Sequence, residues 1–445
     1  MLMTDGNTAN SCTEPKPSTQ HLETSGDGIN EDSIALPVLA FNADVSFPDG
    51  GLRAWLNVIA GWLTLFASIG FTNGLSVFQS YYGLTILSTY SPSDIAWIGS
   101  LQFWGCFFFG LWAGRLCDKY GPRIPLGIGT CFLVLGIMTA SISTQFYQFI
   151  LSQGLCIGLG SGFVFPPALA IQSQWFLKRR GLAVGLVISG QNVGGVIWPI
   201  VVNQLINYDG ISLSWSLRIV GFIQLFLMVT AIVLAQARFH NPPREPIPLK
   251  AFVTNLETVL FTLSTLVFFI AIFIPYFFVS PYGMKYGAST SAAFYLSSFL
   301  NAAAVFGCYA WGIVADTWMG AFNSLTVAAF CAAITTFGWI GARTYAGTVV
   351  WSVAYGFMSG GVQALFSPCI SHLAPSPTLI ATWNGIFLTI LSLPVLGTGP
   401  IAGRLLSNTG DNNYLPMQLF TGISTIAASF LFLATRFVVS RRGRT

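Results

Sequence analysis

Charged residues are scarce in this chain: only 8% of its 445 residues are Asp, Glu, Lys or Arg, whereas 53% are hydrophobic. An average soluble domain is about 25% charged, so a soluble protein of this size could not cover so much apolar surface. Lipid removes that difficulty because it solvates apolar faces. A nucleic-acid-binding surface is excluded as well, since no face could collect enough Lys and Arg.

Residue groupings that carry chemistry are also missing. The eight cysteines form no CxxC pair, and the three histidines do not cluster with them. Neither a zinc site nor a disulfide framework is therefore predicted. The sequence contains no Walker-type phosphate loop, no HExxH helix and no Ser/His/Asp arrangement. We expect no enzyme, no ATP drive, no cofactor and no metal.

Long apolar runs are what the chain has in place of charge. A membrane span needs about 20 mostly apolar residues, and twelve such runs are present. Their predicted positions are about 54–79, 95–116, 123–143, 146–170, 181–206, 213–236, 256–280, 289–314, 320–341, 346–371, 379–404 and 414–438. The sequence therefore predicts an all-α membrane protein with the lipid bilayer as its surroundings.

The polar segments divide the chain into five parts. Residues 1–46 are rich in Ser, Thr, Asp, Glu and Pro and lack the early apolar core of a signal peptide, which predicts a disordered cytosolic tail. Two six-helix halves follow at 47–237 and 256–438, separated by a Pro-rich, charged linker at 238–255. A short basic C-terminus covers 439–445.

The distribution of Lys and Arg predicts the orientation. With both termini in the cytosol, fifteen of the nineteen basic residues lie on the cytosolic side. The four on the other side are Arg218, Lys285, Arg343 and Arg404. Because cytosolic loops carry the excess of basic residues, we expect both termini to be cytosolic.

The two halves repeat each other at a nearly constant offset. Gly114 to Asp118 closes the second run and Gly312 to Asp316 closes the eighth, 198 residues later. Ser161-Gly162 and Ser359-Gly360 repeat at the same offset, and Gly185 and Gly385 at an offset of 200. Parallel six-span repeats with a substrate site between them are a known transporter plan.

The loop after the second run is the most distinctive motif, and it reads Gly114-Arg-Leu-Cys-Asp118-Lys119-Tyr-Gly121-Pro-Arg123. It resembles the signature loop of the major facilitator superfamily. The resemblance implies that Gly114, Asp118, Lys119, Gly121 and Arg123 form a cytosolic gate that holds the inner side closed. Gly121 permits a tight turn, and Asp118 can face a helix N-terminus. Lys119 and Arg123 are predicted at headgroup depth, where they can pair across the interface between the halves.

Two features of this motif limit the interpretation. The basic residues could serve only as topology markers, although Asp118 would then have no role. A Pro also stands where the superfamily usually has another basic residue. In the second copy Asp316 is followed by Thr317 rather than by a basic residue, which predicts that the two gates are unequal.

Two further motifs narrow the resemblance. Pro48-Asp49-Gly50-Gly51 precedes the first run, and Trp175-Phe-Leu-Lys-Arg-Arg-Gly-Leu-Ala-Val-Gly185 enters the fifth. Both are similar to motifs of the monocarboxylate-porter branch, particularly its fungal members. The basic residues in the second motif could again be topology markers.

Amide side chains inside the runs are the candidates for a substrate cavity. An unpaired amide in hydrocarbon is costly, so buried amides should face a cavity or each other. The predicted cavity residues are Asn73, Gln191, Asn192, Asn301, Gln363 and Asn384, and the alternative for each is a hydrogen bond between helices. Aromatic side chains at Trp104, Trp198, Tyr276, Tyr309 and Trp383 could add flat contact surfaces.

The resemblance also bears on what is carried. Monocarboxylate–proton porters have a Lys in span one and an Asp and an Arg in span eight. An ungapped placement puts Asn73, Ala304 and Cys308 at those positions, so all three charges are missing. No Asp or Glu lies at the centre of any run, and Asp94 and Glu257 are the first acids to examine for coupling. A small carboxylate would lack its cationic partner.

These observations predict a secondary active or facilitated transporter that works by alternating access. Its expected cargo is an organic acid or a secondary metabolite, with export favoured and a proton or counter-ion as an optional partner. Proton-coupled monocarboxylate uptake is the first alternative. A membrane sensor that binds ligand without transporting it is the second. The plasma membrane is the expected location, with the vacuolar membrane as the alternative.

Overall fold

The structure is a computed structural model that describes residues 47–74, 82, 86–90, 92–238, 249–407 and 413–441. The predicted tail at 1–46, the middle of the linker at 239–248 and the last four residues lie outside the described residues.

Within the described residues, twelve helices are long and apolar enough to cross a membrane. Numbered in chain order, spans 1 to 12 are Leu52–Asn73, Asp94–Tyr120, Arg123–Ala140, Phe146–Trp175, Arg180–Ile206, Leu213–Leu234, Leu256–Lys285, Tyr295–Met319, Ala321–Gly341, Tyr345–Leu373, Pro377–Leu406 and Leu415–Arg441. The side on which span 1 begins and span 12 ends is called the inner side below. It is the side that the basic residues predict to be cytosolic.

The predicted runs and the helices agree in number, and they differ mainly at their ends. Spans 2, 4 and 7 each continue past the predicted run, to Tyr120, Trp175 and Lys285. The prediction followed hydrophobicity, whereas backbone hydrogen bonding carries a helix on into the polar headgroup region. Span 1 is described only as far as Asn73, and the rest of its predicted run to residue 79 lies outside the described residues.

Three spans are each divided into two α-helices by a single residue. Span 2 consists of Pro92–Phe108 and Gly110–Tyr120, with Phe109 between them. Span 1 consists of Leu52–Ala67 and Ile69–Asn73, with Ser68 between them. Span 7 consists of Leu256–Ile272 and Ile274–Lys285, and Pro275 follows directly on the break. Proline has no N–H for the helical ladder, which accounts for the break in span 7. The short pieces after the breaks in spans 1 and 7 carry Asn73 and Tyr276.

Each six-helix half buries an apolar core of its own, and a third apolar cluster joins the halves. The shared cluster contains Leu169 and Val184 from the first half and Phe366 and Ile370 from the second. Large apolar side chains also cover the outside, as on span 6, where Phe226 is 71% exposed. A bundle that is apolar inside and outside suits a bilayer.

The halves meet most closely where glycines remove the side chain. A Cβ on Gly185 of span 5 would lie 2.5 Å from the Cys308 carbonyl oxygen of span 8. A Cβ on Gly385 of span 11 would lie 2.3 Å from the Gly110 carbonyl oxygen of span 2. Small residues allow such backbone approach in membrane helices. The two interfaces correspond to each other under the repeat, as the matching glycines predict.

Candidate gate and substrate site

Asp118, the central residue of the predicted gate, lies at the inner end of span 2. Its carboxylate accepts hydrogen bonds from the backbone N–H groups of Ala381, at 3.3 Å, and Thr382, at 2.6 Å. Both N–H groups belong to the first turn of span 11, where helical N–H groups have no partner within the helix and negative charge is favoured. Gly114 allows this approach, because a Cβ there would lie 2.1 Å from the Ala381 carbonyl oxygen. We call this contact the span-11 latch.

A second contact is the counterpart of the span-11 latch. Asp316 of span 8 accepts hydrogen bonds from the N–H groups of Gly181, at 2.8 Å, and Leu182, at 2.7 Å, in the first turn of span 5. A Cβ on Gly312 would lie 2.7 Å from the Gly181 carbonyl oxygen. We call this contact the span-5 latch. Each half therefore supplies one carboxylate and one helix N-terminus to the inner closure.

A buried arginine distinguishes the span-5 latch. Arg180 is only 6% exposed, and its guanidinium donates to the carbonyl oxygens of Phe176 and Ser173, both at 3.2 Å. It also interacts electrostatically with Asp49 and Asp316. In the sequence, Arg180 is recognisable only as part of a basic run. The signal that could have identified it is its place in the first turn of span 5, next to the N–H groups that bind Asp316.

Asp49 of the Pro-Asp-Gly-Gly motif fixes the loop that leads into span 5. Its Oδ1 accepts hydrogen bonds from the N–H groups of Leu177 and Lys178, both at 2.7 Å, and its own N–H donates to the Trp175 carbonyl oxygen at 3.2 Å. Asp49 has a φ of 48°, in the left-handed region that Asp tolerates better than most residues. The two motifs that suggested the monocarboxylate-porter branch are therefore in direct contact.

The remaining predicted gate residues lie at the turn between spans 2 and 3. Gly121 makes that turn with a φ of 82°. Arg123 donates to the carbonyl oxygens of Ala235, at 3.1 Å, and Val233, at 3.3 Å, at the end of span 6. The expected pairing of Arg123 across the interface is therefore wrong, because cations also bind helix C-termini and the nearest one belongs to its own half. Lys119 is exposed, with its ammonium 4.8 Å from the centre of the Tyr120 ring.

A serine pair completes the inner closure. The hydroxyl oxygens of Ser173 in span 4 and Ser371 in span 10 are 2.8 Å apart, and both side chains are buried. The two residues are 198 positions apart, so they correspond to each other under the repeat. The two latches and this pair all join one half to the other at the inner ends of the helices.

Deeper in the bundle, side-chain amides and hydroxyls form a hydrogen-bonded chain that crosses between the halves. Gln191 of span 5 donates to the Gln363 side-chain oxygen of span 10 at 2.7 Å, and Gln363 donates to the Tyr276 hydroxyl at 3.0 Å. The Tyr276 and Ser359 hydroxyls are 3.0 Å apart, and the Asn73 amide donates to the Gln191 carbonyl oxygen at 3.4 Å. We call these five residues the amide chain. None of them is charged.

The other three predicted cavity residues lie in different surroundings. The Asn192 amide donates to the Cys308 sulfur at 3.5 Å. Asn301 donates within span 8, and its Oδ1 would be 2.9 Å from a Cβ on Gly195. Asn384 donates to the Ile380 carbonyl oxygen at 2.9 Å, one turn from the span-11 latch, and so lies nearer the gate than the amide chain. The Oδ1 atoms of all three asparagines are buried without a hydrogen-bond partner among the described residues.

The amide chain lies at the depth expected of a substrate site. Gln191 is about 16 Å along span 5 from its first residue, Arg180, which is about half the thickness of the hydrocarbon core. The amide chain contains side chains from spans 1, 5, 7 and 10, so both halves contribute to it. Amides both donate and accept, so a neutral cargo with carbonyl and hydroxyl groups could exchange for these bonds.

The sequence matches the family model of the Major Facilitator Superfamily over residues 54–389. Similar curated proteins include the aspyridones efflux protein of Emericella nidulans, 37% identical over 92% of this chain and 82% of that protein. An MFS transporter of Aspergillus flavus is 37% identical over 88% of each chain. The agnestins efflux protein of Paecilomyces divaricatus is 36% identical over 87% of this chain and 88% of that protein.

Among solved structures, the crystal structure of the transporter FucP in its outward conformation superposes with a TM-score of 0.67, over 86% of this chain and 98% of that one. Sequence identity between the two is 14%, so this likeness concerns the fold. It confirms the predicted arrangement of twelve spans in two six-helix halves.

Proposed function

The chain belongs to the major facilitator superfamily, and we propose that it exports a secondary metabolite by alternating access. It is a membrane transporter of a small organic molecule and not an enzyme. Several relatives are named as efflux proteins for aspyridones, agnestins or fujikurins. The observation that carries the proposal is the Gln191–Gln363 hydrogen bond, which joins the halves at mid-membrane with neutral side chains.

In this proposal the inner closure and the amide chain change together. Both latches and the Ser173–Ser371 pair join the halves, so opening the inner side must break them all. A cargo that forms its own hydrogen bonds with Gln191 and Gln363 breaks the bond between them, and so weakens the contact between the halves at the centre. Binding can shift the equilibrium only as far as the cargo prefers one state over the other.

The surroundings of span 8 support a cargo without a small, exposed carboxylate. Ala304 and Cys308 are fully buried, and the Cys308 sulfur lies against the Gly360 carbonyl oxygen at 3.3 Å. A short monocarboxylate would bring its charge into low dielectric with no cation there to meet it. Saturable lactate uptake that collapses with the proton gradient, measured in cells lacking their own carriers, would favour monocarboxylate uptake instead. Asp94 and Glu257 would then be the acids to replace first.

The orientation and the membrane are parts of the same proposal. Both termini and the linker at 238–255 are placed in the cytosol of a plasma-membrane protein, on the strength of the fifteen-to-four distribution of basic residues. A protease site inserted at Pro243-Arg244 should be cut only after cells are permeabilised. Cleavage from outside intact cells would reverse the orientation.

The direct test is flux in proteoliposomes loaded with a fungal metabolite extract, such as that of Emericella nidulans, with the released compounds identified by mass spectrometry. Gln363→Leu removes the bond to Gln191 at nearly constant volume and should reduce flux at least several-fold. Gln224→Leu is the matched control, because Gln224 of span 6 is equally buried and lies away from the amide chain. Saturable binding of an extract compound without any flux would favour the sensor alternative.

A further inference from the structure

A second feature of the bundle lies outside the amide chain. An open pocket of about 380 Å³ separates span 1 from spans 5 and 8, and it is lined by Trp55, Val58, Ile59, Trp62, Leu186 and Tyr309. It therefore lies on the interface between the halves. The volume falls in the range of small-molecule sites, about 300–1,000 Å³. None of the lining residues is charged.

The position of the pocket places its mouth in the inner half of the membrane. Trp55 and Trp62 are about 4 and 15 Å along span 1 from its first residue. Ile59, between them, is 47% exposed on a helix that crosses the bilayer. An exposed isoleucine at that depth faces acyl chains, so the pocket opens sideways toward the inner leaflet.

The deep end of the pocket, near the middle of the membrane, is polar. The Tyr309 hydroxyl lies 2.9 Å from the Ser189 hydroxyl, and the Trp62 indole N–H donates to the same Ser189 oxygen at 3.2 Å. Trp62 and Tyr309 are partly buried and Ser189 is fully buried, so a cargo could exchange its own polar groups for these hydrogen bonds. A molecule with flat apolar rings and a few carbonyl or hydroxyl groups matches both parts.

The pocket and the amide chain lie along the same helices. Ser189, which bonds Tyr309 and Trp62 of the pocket, is two residues before Gln191 on span 5, about 3 Å along the helix axis. On span 8 Tyr309 comes directly after Cys308, which is the hydrogen-bond partner of Asn192. A cargo at the deep end of the pocket is therefore less than one helical turn from the depth of the amide chain and has not passed through the inner closure.

We propose that this pocket is a side entrance by which a neutral, ring-containing substrate enters the transporter from the inner leaflet. The inference rests on the proposed export function and adds the route and the chemical class of the cargo. The inner closure can then stay shut while the cargo enters. A cargo that partitions into the bilayer is collected where it is concentrated.

Benzophenone is a suitable probe, since it is neutral, has two rings and one carbonyl acceptor, and inserts into nearby C–H bonds under light. Protein in nanodiscs is irradiated with benzophenone, and the labelled peptides are mapped by mass spectrometry. We expect labelling of the 55–62 and 186 peptides that saturates and is reduced by excess unreactive fluorenone. Unsaturable labelling, equal to that of other lipid-facing residues, would overturn the proposal.

Two variants test the pocket itself. Leu186→Trp fills it and should reduce the saturable labelling and the proteoliposome flux about tenfold, as removal of a ligand pocket's apolar contacts predicts. Ile223→Trp is the matched control, because Ile223 is 41% exposed on span 6, away from the pocket. Tyr309→Phe keeps the shape and removes the hydroxyl, so a several-fold loss of labelling is expected from a protein that folds normally.

The outcomes separate this inference from the export function. Normal flux through Leu186→Trp would overturn the side entrance and leave export intact. Saturable labelling without flux of any metabolite would overturn export and leave the pocket as a binding site. A phospholipid retained by the purified wild-type protein and released by Leu186→Trp would identify the pocket as a lipid site and overturn the proposal.

Discussion

The two inner latches have nearly the same backbone geometry and different electrostatics. Each carboxylate binds two successive N–H groups in the first turn of a helix from the other half. The span-5 latch contains the buried cation Arg180, whereas the position 200 residues later is Ile380. The span-5 latch is therefore stabilised by hydrogen bonds, the helix dipole and the charge of Arg180. The span-11 latch is stabilised by hydrogen bonds and the helix dipole.

The comparison shows that corresponding contacts of a repeated fold can differ in their charges. The expectation of unequal gates rested on Thr317, which replaces the basic residue after the second Asp. In the structure the difference lies instead in Arg180, a buried cation of the first half that interacts electrostatically with Asp49 and with Asp316 of the second half. We expect the span-11 latch, which lacks such a cation, to open more easily.

Replacement of Arg180 should have the largest effect, which is expected on the stability of the folded protein. Arg180→Gln removes a buried guanidinium that donates to two backbone carbonyl oxygens and interacts electrostatically with Asp49 and Asp316, and leaving buried acceptors without a donor costs about 1–3 kcal/mol. We expect a clearly lower unfolding temperature for the purified protein. Arg179→Gln is the control, since Arg179 is exposed beside it. Equal unfolding temperatures for the two variants would remove the electrostatic distinction between the latches.

The next largest effect is expected from Asp316→Asn. The amide can still accept one hydrogen bond at the start of span 5, but Arg180 loses one of its two carboxylates. Flux should fall by about tenfold, which corresponds to about 1.4 kcal/mol of shifted equilibrium. The double variant Asp316→Asn with Arg180→Gln should recover part of that loss. If the free-energy change of the double variant equals the sum of the two single changes, the two residues act independently.

Asp118→Asn should have a smaller effect on flux, because no buried cation is left unpaired. We expect normal abundance at the membrane and a several-fold lower rate, measured in the same proteoliposomes. Asp209→Asn is the control, as Asp209 is exposed at the opposite side of the membrane. A rate equal to that of the wild type would mean that the span-11 latch does not limit transport.

Asp49 provides the smallest test of the comparison. Asp49→Asn keeps an acceptor for the Leu177 and Lys178 N–H groups and tolerates the positive φ, so its stability should change little. Asp49→Ala removes the acceptor and should cost about 1 kcal/mol, as the loss of a helix cap does. Thermal unfolding of the two variants measures the difference. Equal losses would show that the charge near Arg180, and not the loop, is what Asp49 contributes.

The number of spans and the position of Asp118 at a helix end were predictable because both depend on local sequence. Apolar runs of about 20 residues identify helices that cross a bilayer, and an Asp at the end of such a run, before a glycine turn, indicates a carboxylate at the membrane surface. The constant offset of the repeat then identifies Asp316 as its counterpart. These inferences required no knowledge of how the helices rotate against each other.

The partners of individual side chains were not predictable in this way. Arg123 binds the end of span 6 and Asn384 lies beside the gate, although sequence placed the first across the interface and the second in the cavity. Asn73, Gln191 and Gln363 do come together. Which face of a helix points inward depends on packing between spans far apart in sequence, and the sequence of one span does not contain it.

The central claim is that transport requires the inner closure to open, and the Ser173–Ser371 pair tests it most directly. Their hydroxyl oxygens are 2.8 Å apart, so cysteines at both positions should form a disulfide, with its S–S bond of about 2.05 Å. Flux through Ser173→Cys/Ser371→Cys should stop under oxidation and recover with dithiothreitol, while either single variant stays active. Full flux through completely cross-linked protein would contradict the account.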